Sequence, residues 1–178
     1  MKISIITLAI ALITLTACSV TDPDYTTQYN SVQNLSILAT VAKTNEFRDS
    51  YPDIKTHITP KEIVFEFPDG KTFTKSIADT LMYVAIAPYL TTTHTCSTHY
   101  PSSCSAELTE KAFKVEAEEN GNKIFEGNLT SLKHGFFEMW LPRNKDIKIK
   151  IEYGDKKGEE VIPTNDNSRT CITTIRLN

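Results

Sequence analysis

The chain has 178 residues, 40% apolar and 23% charged, with 19 basic against 22 acidic groups for a net charge of −3. That is enough chain to bury a core in one or two small domains, and six Gly and eight Pro are too few for a fibrous or disordered protein. Slight acidity without a Lys/Arg cluster argues against nucleic acid as a partner.

Lys2 supplies a positive start, and an apolar run follows from Ile3 to Ala17. Fifteen residues of helix span roughly 22 Å, short of the ~30 Å hydrocarbon core, so residues 1–17 read as a signal peptide. Its end, Leu15-Thr16-Ala17-Cys18, resembles a bacterial lipobox, in which the Cys is diacylated and becomes the new N-terminus. Cys18 is therefore the lipidation candidate; ordinary cleavage after Ala17 is the other reading. Acyl chains would hold the protein at a membrane by burying CH₂ groups, each contributing ~0.8 kcal/mol. Ser19 rather than Asp follows Cys18, which by resemblance to sorted lipoproteins implies the outer membrane of a Gram-negative host. The expectation is a periplasm-facing, lipid-anchored protein in an oxidising compartment, with a soluble periplasmic protein as the alternative.

Residues 18–27 read as a polar tether. Val32, Leu35, Ala39 and Ala42 recur at helical spacing and predict an amphipathic helix around Asn30 to Phe47, capped by Asn30 or Ser31 and broken at Tyr51-Pro52-Asp53. Ile63, Phe65 and Phe67 alternate with Glu62, Val64 and Glu66; Pro68-Asp69-Gly70 turns, and Thr72 to Ile77 returns as the second arm of a hairpin. Residues 28–80 thus read as a small N-terminal α/β layer.

Residues 81–178 read as a β domain. An apolar run covers Leu81 to Leu90, and Thr91 to Ser105 is too polar for a core element. Strands are predicted at Phe113 to Ala117, Phe136 to Leu141, Ile147 to Tyr153 and Cys171 to Leu177, with turns at Glu119-Asn120-Gly121-Asn122 and Gly154 to Gly158. The fold class is α+β, a helix-plus-hairpin layer followed by an antiparallel, sandwich-like β domain.

With Cys18 assigned to the anchor, Cys96, Cys104 and Cys171 remain, an odd number for an exported chain. His94 and His99 flank Cys96. If Thr93 to Cys96 is extended, His94 and Cys96 share a face, and His99 follows three residues later. Tyr100-Pro101-Ser102-Ser103 bends the chain so that Cys104 can return, and Cys171 can close the cluster from the last strand. Three thiols and two imidazoles make a soft site suited to Cu(I), to Cu(II) through imidazole, and secondarily to zinc; Thr91 to Ser105 holds no carboxylate for calcium or magnesium. Two thiolates can also reduce a metal and become a disulfide, so cupric reduction is a candidate activity.

A plainer reading stands beside it. A disulfide, Cys96–Cys171 or Cys104–Cys171, could staple the loop to the last strand of a structural envelope lipoprotein with a protein-binding surface. His57 and His134 read as surface groups, and Met82, Met139 and Trp140 as core. The sequence holds no Cys-x-x-Cys, HExxH, phosphate loop or Gly-x-Ser-x-Gly.

Ile86-Ala87-Pro88-Tyr89, Thr93-His94-Thr95-Cys96, His99, Cys104-Ser105-Ala106-Glu107-Leu108, Gly135-Phe136, Trp140-Leu141-Pro142-Arg143 and Thr170-Cys171-Ile172-Thr173-Thr174-Ile175-Arg176-Leu177 resemble, in order and spacing, the CueP family of bacterial periplasmic copper-binding proteins. The resemblance implies a role in copper resistance, copper held by Cys and His residues, and a link to cupric reduction. It also implies supply of copper to a periplasmic Cu,Zn superoxide dismutase, and an N-terminal layer that serves as a homodimerisation domain. By it, Cys96, Cys104 and Cys171 are the thiols, and His94 and His99 the candidate imidazole partners. Cys104 and Cys171 are separately taken as the candidate redox pair, with a thiol reductant as a candidate partner. The lipid anchor departs from the soluble members of that family.

Overall fold

The computed structural model describes residues 24–178; the signal peptide, Cys18 and the first part of the tether lie outside the described residues. Helices α1 (Thr26–Val32) and α2 (Ile37–Ser50) are followed by strands β1 (Lys55–Ile58), β2 (Glu62–Glu66), β3 (Thr72–Ser76), β4 (Leu81–Ile86), β5 (Ala112–Glu119) and β6 (Asn122–Thr130). β7 (Phe137–Pro142), β8 (Asp146–Tyr153), β9 (Lys156–Pro163) and β10 (Cys171–Ile172) complete an α+β fold. No helix among the described residues is long and apolar enough to cross a membrane.

The one helix expected over residues 30–47 is two, and α1 starts inside the stretch read as a tether. Ser36 sets the second start, its Oγ accepting the Ala39 amide at 3.3 Å as an N-cap. The buried stripe of α2 is Thr40, Val41, Thr44 and Phe47, while Ala42 is exposed. Two threonines disguise that stripe. They bury without an orphaned hydroxyl because Thr40 Oγ1 donates to the Ser36 carbonyl and Thr44 Oγ1 to the Val41 carbonyl.

The strands form three sheets, β1-β2-β3, β10-β4-β7 and β6-β5-β8-β9. All pairings are antiparallel except β10 with β4, which is parallel and pairs Cys171 with Ala85. The last strand, expected over 171–177, is regular only at Cys171–Ile172 and continues as a tail bridged at Tyr89 and Arg176. β6 and β9 lack a sequence signal because Ile162 is the one buried residue in the two strands, and Ile124 and Val161 are exposed.

Two cores meet at the middle sheet. Met82, Val84 and Ile86 of β4, with Phe137, Met139 and Leu141 of β7, pack on Phe113, Val115, Ile147, Ile149 and Ile151 of the four-stranded sheet. The alternate residues, Tyr83 and Ala85, with Phe136 and Cys171, face Phe47, Ile58, Ile63 and Phe65 of the N-terminal layer. A sheet covered on both faces reads as a near-continuous apolar run, as in β4; β7 is interrupted by Glu138. The same period-two alternation sends Cys171 and Ile172 to opposite cores, so the Cys171 sulfur points to the N-terminal layer.

Candidate metal centre

Cys171 is fully buried and forms a disulfide with Cys96, with 5.6 Å between their Cα atoms. Cys104, expected with Cys171 as the redox pair, is instead a free thiol whose Sγ lies 3.6 Å from that of Cys96. Ligand atoms of His94, Cys96 and Cys104 lie within 4.8 Å of one another, as do those of His99, Cys104 and Cys171. Cys104 belongs to both groups. The fold thus brings together all five residues singled out in the sequence; His94, Cys96 and Cys104 line an open cavity of about 560 Å³ with Tyr100 and Ser105, while His99 and Cys171 are buried.

The two histidines live in different surroundings. His94 sits exposed on the loop, its carbonyl accepting the Thr173 hydroxyl at 2.7 Å. His99 is buried, with its ring centroid 4.8 Å from that of Phe136. Its amide donates to Thr170 Oγ1 at 3.0 Å, and its carbonyl accepts from Ile58 of β1 at 2.8 Å. Burial, with the Arg48 charge as a smaller cause, lowers the His99 pKa to about 3, so the ring is neutral at physiological pH. Its Nδ1 is buried without a hydrogen-bond partner. An orphaned buried polar atom costs about 1–3 kcal/mol, and at a soft-donor cluster it is what a metal would relieve. Burial also pushes the Cys104 thiol pKa up, against a backbone hydrogen bond at Tyr100 and the Arg48 charge.

The loop is fixed from three sides. At its start Glu107 accepts the backbone amides of Leu90, Thr91 and Thr92 at 2.8, 3.0 and 3.2 Å and the Thr91 hydroxyl at 2.6 Å. The Thr91 hydroxyl leads these hydrogen bonds in holding its carboxyl pKa at about 2. At its end Arg48 of α2 donates to the carbonyls of Pro101 (3.1 Å) and Cys104 and to Ser105 Oγ (2.7 Å). From β1, Thr56 and Ser102 exchange backbone-to-hydroxyl bonds, 3.1 Å each way. Below Cys104, Ala106 donates to the His134 carbonyl at 2.9 Å, and a Cβ on Gly135 (φ +86°) would come within 2.6 Å of the Ala106 oxygen.

Sequence reasoning missed Arg48 and Thr56, because a polar side chain in a helix or strand carries no mark of the loop it reaches. Glu107, Gly135 and Thr170 lay within stretches already singled out, without a role. Of the other groups weighed, Met82 and Met139 are core as expected, and Trp140 is partly buried. His57 and His134 pair with exposed acids, Glu66 at 3.7 Å and Asp49 at 3.1 Å.

A family model described as "Periplasmic copper-binding protein CueP" matches residues 36–176, from the α2 cap to the C-terminal tail. The chain belongs to the CueP family. It is a periplasmic copper-binding protein by that membership, and the match spans the whole Cys/His loop and Cys171. Among solved structures it is similar to the one titled "Crystal Structure of S.CueP", at TM-score 0.77 and 27% identity, covering 85% of this chain and 94% of that one. No match was found among curated proteins. Copper is thus the cargo against which the donor set is weighed, and thiol plus imidazole is the set a soft ion such as Cu(I) takes.

Proposed function

We propose that this CueP-family protein captures copper in the periplasm at Cys96, Cys104, Cys171, His94 and His99, reduces Cu(II) with its thiols and holds the product as Cu(I). The observation that carries the proposal is the orphaned, neutral His99 imidazole beside two sulfurs. A metal ligand must be deprotonated, and His99 already is; burial pushes the Cys104 thiol pKa up, so metal binding there releases its proton.

In the reduced protein, Cys96 and Cys171 each give one electron to one Cu(II). They form the disulfide, two Cu(I) result and two protons leave. Cys104 and the imidazoles remain as ligands, and an external thiol reductant resets the pair by exchange through the mixed disulfide. Turnover under excess reductant would make the protein a cupric reductase; a single round limited by its thiols would make it a binding protein. The family resemblance supports delivery of Cu(I) to a periplasmic Cu,Zn superoxide dismutase and homodimerisation through the N-terminal layer. The lipobox supports a lipid anchor at Cys18.

The test is anaerobic mixing of fully reduced protein with Cu(II), reading free thiols and chelatable Cu(I). Loss of two thiols with matching Cu(I) is expected. Unchanged thiols and no Cu(I) would refute reduction. The disulfide itself favours the competing staple reading, which predicts one reactive Cys104 thiol that Cu(I) does not protect. Loss of acyl labelling in Cys18→Ser tests the anchor, and activation of the metal-depleted dismutase by the loaded protein tests delivery.

A further inference from the structure

The donors of the cluster fall into two groups rather than one. His94, Cys96 and Cys104 form an outer group, and His99, Cys104 and Cys171 an inner one, each with its ligand atoms within 4.8 Å of one another. The two differ in access. The outer group lines the open cavity and carries the exposed His94, whereas His99 and Cys171 are buried behind it. The inner group holds the unpartnered Nδ1 of His99. Cys104 stands in both groups, with its Sγ 3.6 Å from that of Cys96.

We propose that the reduced protein holds two Cu(I) ions bridged by the Cys104 thiolate. The outer ion sits on His94, Cys96 and Cys104 and is the one that enters and leaves; the inner ion sits on His99, Cys104 and Cys171 and is retained. The inference rests on the reading of the cluster as a Cu(I) site and adds to it a second position. Each group offers thiolate and imidazole together, a complete set for a soft ion of low coordination number, and a thiolate sulfur has lone pairs enough to bridge. Charge favours the pair. The thiols bind as thiolates, so a single Cu(I) on all three leaves two uncompensated negative charges at a part-buried place. A second Cu(I) leaves one, which the Arg48 guanidinium at the Cys104 carbonyl balances. With Cys96 and Cys171 joined, Cys104 is the free thiol of the cluster, and the oxidised protein keeps a thiolate for one ion only.

Anaerobic Cu(I) titration of the fully reduced, metal-free protein against a chelator tests the pair. Two Cu(I) per chain are expected, with copper–copper scattering in the X-ray absorption of the loaded protein, and one Cu(I) in the disulfide-intact protein. Excess chelator should strip one ion several-fold faster than the other. His94→Ala should speed the fast loss several-fold and leave the slow one unchanged, and His99→Gln should do the reverse. Saturation of the reduced parent at one Cu(I), or two ions without copper–copper scattering, overturns the bridged pair and leaves the copper reading standing. Loss of both ions from the parent at one rate, or equal effects of the two variants on both phases, overturns the outer and inner assignment. Failure of the reduced parent to bind Cu(I) overturns the copper reading together with the pair.

Discussion

His94 and His99 stand five residues apart in the sequence and differ in every physical respect that matters to a ligand. His94 is exposed, so water or a neighbour can replace its ring; Cys104 belongs to both donor groups and brings a charge once deprotonated. Cys104→Ser should therefore weaken Cu(I) binding more than His94→Ala in a chelator competition, and equal losses would refute this ranking. His99 also couples pH to stability. Its folded pKa of about 3 lies below the ordinary value of about 6.5, so the unfolded chain takes up the proton first as pH falls. The contribution is complete above about pH 6.5 and is lost as pH falls towards 3, by about 1.4 kcal/mol per pH unit. Urea midpoints of the metal-free protein between pH 7 and 5 should show this slope, flattened in His99→Gln.

At the scale of elements, the metal loop is irregular backbone made definite by its neighbours. Arg48 reaches across from α2 with a planar fork that spans two carbonyls and a hydroxyl, which a lysine ammonium cannot reproduce. Arg48→Lys should leave α2 intact by circular dichroism yet raise amide exchange over residues 101–105 and weaken copper binding. Gly135 acts from the other side. Gly135→Ala meets both a left-handed backbone and the Ala106 oxygen, so the turn that carries Cys104 must shift. A loss of about 1–3 kcal/mol in stability is expected, read by denaturation, with a parallel loss in Cu(I) affinity.

For the whole molecule, the disulfide joins residues 75 apart and ties the loop to the middle sheet. In the chain-entropy view such a closure contributes about 4 kcal/mol, so Cys171→Ser should unfold at markedly lower denaturant than the disulfide-intact protein. Because Cys171 faces the N-terminal core and Cys104 is clamped from α2, the site lies between the N-terminal layer and the middle sheet. Redox state and copper loading should therefore change exchange in α2 and β1 as well as in the loop. Changes confined to residues 91–108 would refute that coupling.

Residue chemistry alone singled out the five Cys and His residues that the fold brings together, and the fold class, because thiols and imidazoles clustered in a polar loop, and apolar alternation in the strands, are visible without coordinates. The apolar runs of β4 and β7 were likewise visible, but that they form a sheet buried on both faces was not read from them. Less was legible where burial is carried by polar side chains: the threonine stripe of α2, the charged strands β6 and β9, and the reach of Arg48 and Thr170. The pairing of Cys96 with Cys171, leaving Cys104 free, depended on strand pairing. Both sulfurs come near Cys171, and the Thr170 and Cys171 amides donate to the Ser97 carbonyl beside Cys96. Nor could spacing separate an exposed His94 from a buried, neutral His99, because desolvation is a property of the packed surroundings.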